Sequence, residues 1–385
     1  MGEKRVMVPS DLSESNIPTQ KKPRFTARAL TLKEICTRGK VIQDRYTVQK
    51  VMGEGTFGKV LKVTDAKTKE LYAMKIIKDT YEHGSPEFFW ERDVLEKIRT
   101  MDPKNISRLM QIVKVYEVIV FFLVVILESN FFVENHLALL FQLYPLSLHD
   151  YIKKTEEGAD FVDIKIVTYQ ILQALEFLEK LCFTHGDLKP ENIMIVDEST
   201  LQIKVIDLGC AFKVDTYPYQ YFQTRYYRAP EVTFGTCYDN AVDIWSLACI
   251  MFEMRTKLPL FECKDEVEHV RKFIEVLGMP PKRLLRKGSR TDTFFEGRKH
   301  PQFIHNSNLK PGTRHVYKML CEHQSGKYVP WQFCHGDLRL FVALLLKMLK
   351  YNRKSRVKVS EAMKHDFFKS VMNELENGGV YTKTT

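Results

Sequence analysis

The sequence lacks three features that would indicate a secreted, zinc-stabilised or membrane protein. Its 8 cysteines include no C-x-x-C pair, which argues against a zinc site and for reduced thiols. The first residues do not resemble a signal peptide. The longest apolar run, VIVFFLVVIL at residues 118–127, has about half the length of a membrane-spanning helix. We therefore expect a protein of the nucleus and/or cytoplasm that does not bind membranes.

The positive charge is not organised for nucleic-acid binding. Lys and Arg exceed Asp and Glu by 58 to 48, which gives a formal net charge of +10. The basic residues are scattered and do not alternate with aromatic residues, so we expect a solvated basic surface and no direct nucleic-acid partner. At 385 residues and 44% hydrophobic content, the chain can form one large two-lobed domain or two domains.

The pattern along the chain predicts an α+β fold with a small β-rich lobe and a larger, mainly helical lobe. Residues 1–43 are interpreted as a flexible arm, in which KKPR at 21–24 is a candidate nuclear-import signal. Alternating apolar residues then predict a hairpin around a glycine loop, followed by further strands, and helical spacing dominates afterwards. We expect a folded domain over 44–369, with lobes at 44–142 and 145–369 and a short tail at 370–385.

The apolar run 118–127 does not fit this pattern. It can be a core strand lengthened by an insertion, an edge that binds a partner, or an error in the gene model. An exposed apolar segment of this kind would promote aggregation. We therefore favour the first or the third interpretation.

A glycine loop and two charged residues indicate a phosphate site. The pattern G-x-G-x-x-G-x-V lies between two predicted strands, which favours a lid over the phosphates of a nucleotide rather than a dinucleotide-binding turn. Lys75, in the apolar context YAMKII, would hold nucleotide phosphates, and Glu91 on the following helix would pair with it. The nucleotide-binding candidates of this region are Gly53, Glu54, Gly55, Gly58, Val60, Ala73, Lys75 and Glu91.

The stretch HGDLKPENIM at 185–194 has the composition of a phosphoryl-transfer loop. Asp187 would accept the proton of the attacking hydroxyl, and Lys189 would steady the phosphoryl group. Asn192, together with Asp207 of VIDLG, would bind magnesium. Gly186 stands where most protein kinases carry Arg.

Two further pairings have structural roles. Glu231 of the APE motif would form an ion pair with Arg356, and Asp243 and Trp245 would brace the loop from the next helix. All these motifs occur in one order at compatible spacings, and together they predict a bilobal protein-kinase fold.

Several stretches resemble the dual-specificity tyrosine-regulated kinases, the DYRK family of the CMGC group, over about 44–369. The resemblance is carried by HGDLKPENIM, IKVIDLG, YQYFQTRYYRAPEV and FIEVLGMPP. PGTR at 311–314 is similar to minibrain-type members, and homeodomain-interacting and Clk-type kinases are neighbouring branches. The resemblance implies transfer of phosphate from ATP, with Mg²⁺ or Mn²⁺, to Ser and Thr of protein substrates.

The resemblance also implies how the chain manages without the Arg before Asp187. Family members phosphorylate their own activation-loop tyrosine, which here is Tyr221 in Y-x-Y at 219–221. Arg225 and Arg228 would clamp the resulting phosphate. The alternative for Tyr221 is a packing role.

Further implied features concern specificity. Glu191 would meet an Arg that precedes a Pro-directed target site. Phe141 would be the gatekeeper, and Gln142, Leu143 and Tyr144 would form the hinge. We expect a monomer. A pseudokinase that binds nucleotide or partners without efficient catalysis, and a Clk-type kinase, remain the alternative interpretations.

Overall fold

The computed structural model describes residues 30–55, 58–78, 86–100, 123–214, 216, 221–297, 301–304, 309–325 and 336–376. The chain divides into two compact units. The first comprises Met1–Ile106 and Val125–Tyr144, and the second comprises Ser107–Val124 and Pro145–Thr385. The first unit is rich in strands and the second in helices. This distribution confirms the predicted α+β kinase fold class.

One antiparallel sheet dominates the first unit. Its helices are α1 (Leu32–Ile35) and α2 (Pro86–Arg99), and its strands are β1 (Val41–Ile42), β2 (Tyr46–Glu54), β3 (Gly58–Asp65), β4 (Leu71–Ile77), β5 (Ser129–Val133) and β6 (His136–Gln142). The strands lie in the order β1-β2-β3-β4-β6-β5. Each neighbouring pair is antiparallel.

Alternation of apolar residues builds this sheet, as the sequence predicts. In β3, Leu61 and Val63 are buried while Lys62 between them is more exposed. Successive strand residues point to opposite faces, so the apolar set of each strand reaches one core. Met74 and Ile76 of β4 belong to the same buried cluster. The predicted hairpin around the glycine loop is confirmed as β2 and β3.

Residues assigned to the terminal arm enter this core. The Thr31 hydroxyl accepts a hydrogen bond from the Glu34 amide at 3.3 Å, and the Glu34 carboxylate accepts one from the Thr31 amide at 2.7 Å. This capping box starts α1. Ile35 and Ile42 are buried in the core of the first unit. The predicted arm, 1–43, is therefore too long, because its last residues bury apolar side chains. KKPR lies outside the described residues.

The described half of the apolar run is also buried. Four of its residues are at most 3% exposed: Leu123, Val124, Val125 and Leu127. These residues do not form an ordinary strand, because only Val124 pairs, in a single parallel bridge to Val205. An exposed partner-binding edge is therefore wrong for them, while residues 118–122 lie outside the described part of the chain.

The second unit is built mainly from helices, with short strands between them. Its helices are α3 (Leu148–Lys154), α4 (Phe161–Lys180), α5 (Pro230–Phe234), α6 (Ala241–Thr256), α7 (Glu266–Leu277), α8 (Lys282–Lys287), α9 (Val316–Ser325), α10 (Gly336–Met348), α11 (Val359–Met363) and α12 (Lys369–Glu376). Its strands are β7 (Leu146–Ser147), β8 (Phe183–Thr184), β9 (Ile193–Asp197), β10 (Gln202–Val205), β11 (Phe212–Lys213), β12 (Phe295–Glu296) and β13 (Gln302–Phe303).

Two long helices, α4 and α6, supply the core of this unit. Asp160 caps α4 by accepting a hydrogen bond from the Asp163 amide at 2.8 Å. Helix α6 is apolar on most sides and buried along nearly its whole length, as expected of a central helix. Its Trp245 stacks on Phe261 with ring centroids 5.5 Å apart. None of the helices in the described ranges combines the length and apolarity needed to cross a membrane.

The C-terminal boundary also lies further along the chain than the sequence predicts. Helix α12 begins at Lys369 and continues to Glu376, so the expected tail at 370–385 starts inside a helix. Val371 is buried, and the buried Lys165 ammonium donates to the Ser370 hydroxyl at 3.0 Å. The helix is therefore part of the folded domain.

The predicted ion pair between Glu231 and Arg356 is present and buried. The two guanidinium nitrogens of Arg356 donate to the two carboxylate oxygens of Glu231 at 2.7 and 2.9 Å. The exposed fractions of the two side chains are 1% and 0%. Arg356 also donates to the carbonyl of Lys350 and that of Ala241. The pair therefore ties the start of α5 to the segment before α11.

We expect Arg356→Ala to lower the free energy of unfolding by about 3–5 kcal/mol, because Glu231 would keep an uncompensated buried charge. Chemical denaturation would measure the loss. The control is Lys369→Ala, whose partner Asp366 is 61% exposed while Lys369 is 71% exposed, and which should cost less than about 1 kcal/mol. The double variant Glu231→Gln/Arg356→Met should recover part of the loss. Equal losses in the single variant and the control would contradict the prediction.

Candidate active site

The glycine loop joins β2 to β3 and places backbone close to charged side chains. The Gly55 amide donates to the Gly58 carbonyl at 2.9 Å. The Lys78 ammonium donates to the Gly55 carbonyl at 2.8 Å and lies 3.0 Å from the Glu54 carboxylate. A Cβ on Gly58 would lie 2.3 Å from the Ile76 carbonyl oxygen. Only glycine therefore allows the start of β3 to approach β4 so closely.

The other two glycines of the loop leave open space above the backbone. A Cβ on Gly53 or Gly55 would meet nothing within 4 Å. Backbone without a side chain can come close to a phosphate oxygen, which is the purpose predicted for this loop. Thr56 and Phe57, at its tip, lie outside the described residues.

Lys75 and Glu91 form a buried ion pair within the first unit. The Lys75 ammonium donates to both oxygens of the Glu91 carboxylate, at 2.8 and 2.7 Å. The exposed fractions of the two residues are 8% and 7%. Strand β4 carries Lys75 and helix α2 carries Glu91. The pairing expected from the sequence is therefore present, and it fixes the position of the lysine ammonium.

The sheet register brings the other predicted nucleotide-binding residues of this unit next to Lys75. Val60 of β3 pairs with Lys75 of β4. Ala73, two residues earlier on β4, pairs with Phe141 of β6. Gln142 ends β6 and is exposed. Leu143 and Tyr144 follow it, and Tyr144 is buried.

In the second unit, Asp243 holds the catalytic loop through two backbone amides. Its carboxylate accepts from the His185 amide at 2.7 Å and from the Gly186 amide at 3.0 Å. Asp243 is buried at the start of α6. Burial raises the pKa of Asp243, while His185 and the two amide bonds act in the opposite direction. The predicted bracing contact is thus present for Asp243, while the Trp245 ring packs against Phe261 and Phe273.

The His185 ring orients the backbone that leads to Asp187. The Asp187 amide donates to His185 Nδ1 at 3.2 Å, and His185 Nε2 lies 2.9 Å from the Ile206 carbonyl. Because Nδ1 accepts, the ring proton of the neutral tautomer belongs on Nε2, which then donates to Ile206. The ring therefore links the catalytic loop to the segment after β10.

The Asp187 carboxylate is held by two residues. One oxygen accepts from the Lys189 ammonium at 2.7 Å. The other accepts from the Thr224 amide at 2.7 Å and from the Thr224 hydroxyl at 2.8 Å. A carboxylate has about four acceptor sites, so these three bonds orient the group and leave it able to accept one more proton donor.

The Lys189 ammonium bridges two polar partners. It donates to Asp187 and, at 3.1 Å, to the Thr224 hydroxyl. Burial lowers the pKa of Lys189, but the nearby carboxylates of Asp187, Asp207 and Glu191 outweigh this effect and raise it overall. Lys189 is therefore a cation at neutral pH. Glu191 itself is exposed to solvent.

Asn192 and Asp207 lie on consecutive segments joined by a backbone hydrogen bond. The Asn192 carbonyl accepts from the Ile206 amide at 2.9 Å. The side-chain amide of Asn192 donates to the Asp187 carbonyl at 2.9 Å, which leaves its oxygen as the ligand atom. Asp207 adopts a left-handed backbone conformation, with φ 62°. Left-handed residues of this kind are concentrated at functional sites.

These two residues fit a divalent ion that takes few ligands from protein. Carboxylate and amide oxygens suit Mg²⁺, which is usually held by one or two protein groups together with phosphates and water. Within the described residues no cluster of three or more His, Cys, Asp and Glu could hold a metal ion.

The local structure explains why position 186 is a glycine. Its φ is +78°, and a Cβ there would lie 2.5 Å from the Cys210 carbonyl oxygen. A side chain at this position would therefore be strained by the backbone and would also displace the segment after Asp207.

Two arginines contact Tyr221. One of them is Arg228, as the sequence predicts, and the other is Arg290. The guanidinium carbon of Arg228 lies 3.7 Å from the centre of the Tyr221 ring, and that of Arg290 lies 4.5 Å from it. Arg228 also donates to the Tyr221 hydroxyl. Arg225 instead donates to the Lys264 carbonyl at 2.7 Å. The clamp of Arg225 and Arg228 around the phosphate stays a prediction, and Arg290 is a second arginine at the ring. Tyr219 and Gln220 lie outside the described residues.

Two residues of this region escaped the sequence analysis. Thr224 makes three of the contacts around Asp187 and Lys189, and the signal was its place between the Y-x-Y and APE motifs. Arg290 follows α8, 69 positions after Tyr221 by its numbering, and no local pattern connects the two. Contacts of such long range are set by the packing of α5, α7 and α8.

The fold, the residues around Lys75 in the first unit and those around Asp187 in the second unit are typical of a protein-kinase domain. Comparison with known families supports the same assignment. The family described as protein kinase domain matches residues 46–368. The chain belongs to this family.

Among curated relatives the DYRK family recurs, as the sequence motifs predict. The chain is 33% identical over 329 residues to a probable serine/threonine-protein kinase dyrk2 of Dictyostelium discoideum. This match covers 85% of this chain and 33% of the relative. Dual specificity tyrosine-phosphorylation-regulated kinase 2 of Drosophila melanogaster is 32% identical over 84% of this chain and 41% of its own length. Dual specificity tyrosine-phosphorylation-regulated kinase 4 of Homo sapiens is 34% identical to the chain. The match covers 70% of this chain and 50% of that relative.

These comparisons confirm the resemblance to DYRK-family kinases at the level of the family. The chain spans between 33% and 50% of the length of these three relatives. The finer likeness to minibrain-type members stays a prediction.

We expect Gly186→Ala to destabilise the protein more than Gly312→Ala. Both positions have positive φ, +78° and +66°, but a Cβ on Gly312 would be 3.5 Å from its nearest neighbour. Both variants should lose about 1 kcal/mol from the left-handed conformation. Only Gly186→Ala adds a backbone clash, for which we expect a further loss of about 1–3 kcal/mol. Urea denaturation would measure both, and equal losses would show that Cys210 moves away without cost.

Proposed function

We propose that this chain is an active protein kinase that transfers the γ-phosphate of ATP to Ser and Thr of protein substrates and to its own Tyr221. The observation that carries the proposal is the oriented Asp187 carboxylate, with Lys189 and Thr224 bonded to it. Membership of the protein-kinase family supports the reaction class. The names of the DYRK relatives support dual specificity.

Each residue of the second unit has a defined task in this proposal. Asp187 accepts the hydroxyl proton of the substrate as the oxygen attacks the γ-phosphorus and ADP leaves. Lys189 offsets negative charge on the transferred group. Asn192 and Asp207 would hold the metal, for which we propose Mg²⁺, with Mn²⁺ as a substitute. The metal, when bound, neutralises charge on the phosphate oxygens.

The first unit supplies nucleotide binding. Lys75, positioned by Glu91, would bind nucleotide phosphates as a point charge. The backbone of the glycine loop would lie over them. Adenine recognition is assigned to Ala73 and Phe141, with Gln142, Leu143 and Tyr144 as the hinge. Gln142 stands where an acidic residue is usual in the family, so the hinge of this chain lacks that negative charge.

A pseudokinase is the alternative. Pseudokinases usually lack at least one of the ammonium, carboxylate and amide groups described above. All of them are present and hydrogen-bonded, which favours catalysis.

Substrate choice and location are further proposals. We infer that Glu191, exposed beside Lys189, binds an Arg that precedes a Pro-directed Ser or Thr. We also propose a monomer of the nucleus and/or cytoplasm. A degenerate peptide library phosphorylated with labelled ATP would measure the preference for Arg and Pro.

Asp187→Asn should abolish transfer both to Tyr221 and to an added substrate. An amide cannot accept the hydroxyl proton, and loss of a general base lowers the rate by about 10²–10⁴-fold. Mass spectrometry of bacterially expressed protein would report Tyr221, and a peptide assay would report the substrate. Asp197→Asn is the control, because its carboxylate is exposed and bonds Ser199. Full phosphorylation of Tyr221 in Asp187→Asn would mean that another enzyme modifies it.

Tyr221→Phe should lower the rate of substrate phosphorylation while nucleotide affinity stays within about twofold. The variant keeps the ring that Arg228 and Arg290 contact but has no hydroxyl to phosphorylate. Calorimetric titration with ADP and a steady-state peptide assay would separate the two effects. A large loss of nucleotide affinity would instead support the packing role.

A further inference from the structure

We propose that Arg290 is part of the binding site for phosphorylated Tyr221, and that Glu266 competes with the phosphate for it. The proposal rests on the proposed function only in that Tyr221 becomes phosphorylated. It assigns a cationic hydrogen-bond donor to the phosphate of the phosphotyrosine monoester, and that donor lies outside the activation-loop sequence.

Arg290 and Arg228 approach Tyr221 together. Their guanidinium carbons lie 4.5 and 3.7 Å from the centre of the ring. The Tyr221 residue itself is 41% exposed. Its hydroxyl receives a hydrogen bond from Arg228. A phosphate on that oxygen would therefore lie within reach of two guanidinium groups.

The charges of this cluster do not balance before phosphorylation. Glu266 lies 2.7 Å from Arg290 and 3.8 Å from Arg228, so one carboxylate serves two guanidinium groups. Two guanidinium groups that share one carboxylate leave a surplus of about one positive charge, and the phosphate of phosphotyrosine carries about −1.5 to −2.

Burial makes this surplus costly. The exposed fraction of the Arg228 side chain is 7%. Burial lowers the pKa of Arg228 to about 10, with Glu266 and Arg290 acting in opposite directions. A second anion near Arg228 would therefore remove an unfavourable interaction, in addition to forming new hydrogen bonds.

Arg290 can exchange one anion for the other without large movement. Both of its bonds to Glu266, at 3.0 and 2.7 Å, come from one nitrogen, Nη2. Its other terminal nitrogen, Nη1, lies 3.4 Å from the Thr233 carbonyl, a long bond that costs little to break. The guanidinium is therefore positioned to bind Glu266 and the phosphate together or to leave Glu266.

The test uses phosphotyrosine placed at position 221 during translation by codon suppression, in the Asp187→Asn background. The phosphate is then present whether or not the chain can transfer it. Failure of the proposed function and failure of this inference are thus distinguishable. Phosphorus NMR gives the second pKa of the phosphate, and a tyrosine phosphatase gives its accessibility as a rate of removal.

Arg290→Gln should raise the pKa of the phosphate and speed its removal by about tenfold, the size expected for loss of one charged hydrogen bond. Glu266→Gln should act in the opposite direction on both readings, because Arg290 loses its competing anion. A residue with only a packing role would not produce effects of opposite sign. Arg283→Gln, an exposed position on α8, is the matched control.

The double variant Glu266→Gln/Arg290→Gln should behave like Arg290→Gln, since Glu266 acts through Arg290. The inference is overturned if Arg290→Gln leaves the phosphate pKa and the removal rate at their original values. It is also overturned if Glu266→Gln changes both in the same direction as Arg290→Gln.

Discussion

One buried carboxylate determines where the catalytic groups of the second unit lie. Asp243 accepts from the amides of His185 and Gly186, so α6 positions the loop directly. A charged group at this depth is stable only where donors surround it. The two amides meet that need, and the backbone between them and Asp187 adopts a left-handed conformation at Gly186, with φ +78°. Asp187 comes next in the chain.

Thr224 shows how the activation segment contributes to the same site. Through its amide and hydroxyl it supplies two donors to Asp187 and an acceptor to Lys189. The order of the segment after Tyr221 therefore affects the orientation of the catalytic carboxylate. Arg228 adds to this order, because its guanidinium donates to the carbonyls of Phe222 and Gln223. An anion that fixes Arg228 would, in turn, stabilise the position of Thr224.

Local patterns were enough to predict much of the fold and of the site. Period-two alternation predicts β2 and β3, and an apolar neighbourhood identifies Lys75 as a residue of the interior. Closely spaced motifs identify Asp187, Lys189 and Asn192 because the catalytic loop needs them within a few residues of one another. Roles for these residues rest on family resemblance as well as on chemistry.

What the sequence could not predict depends on contacts between distant segments. Helix α1 is only four residues long, too short for a periodic pattern, and it forms because Ile35 is buried against the sheet. Helix α12 belongs to the folded domain because Val371 is buried and Ser370 bonds the distant Lys165. In the sequence Arg225 lies four residues after Tyr221 and Arg290 lies 69 residues after it, so local patterns favour Arg225. Only the packing of the segment after α8 decides which one reaches the ring.

The absence of an Arg before Asp187 is therefore better understood as a change in where positive charge lies than as a loss of catalytic chemistry. At position 186 the backbone leaves no room for a Cβ, since the Cys210 carbonyl lies in its place. Positive charge is instead concentrated at Arg228 and Arg290, where it contacts Tyr221. Arg228 also bonds the segment that carries Thr224 and interacts electrostatically with Asp187. Activation would thus reach Asp187 in part through Thr224, which bonds both Asp187 and Lys189.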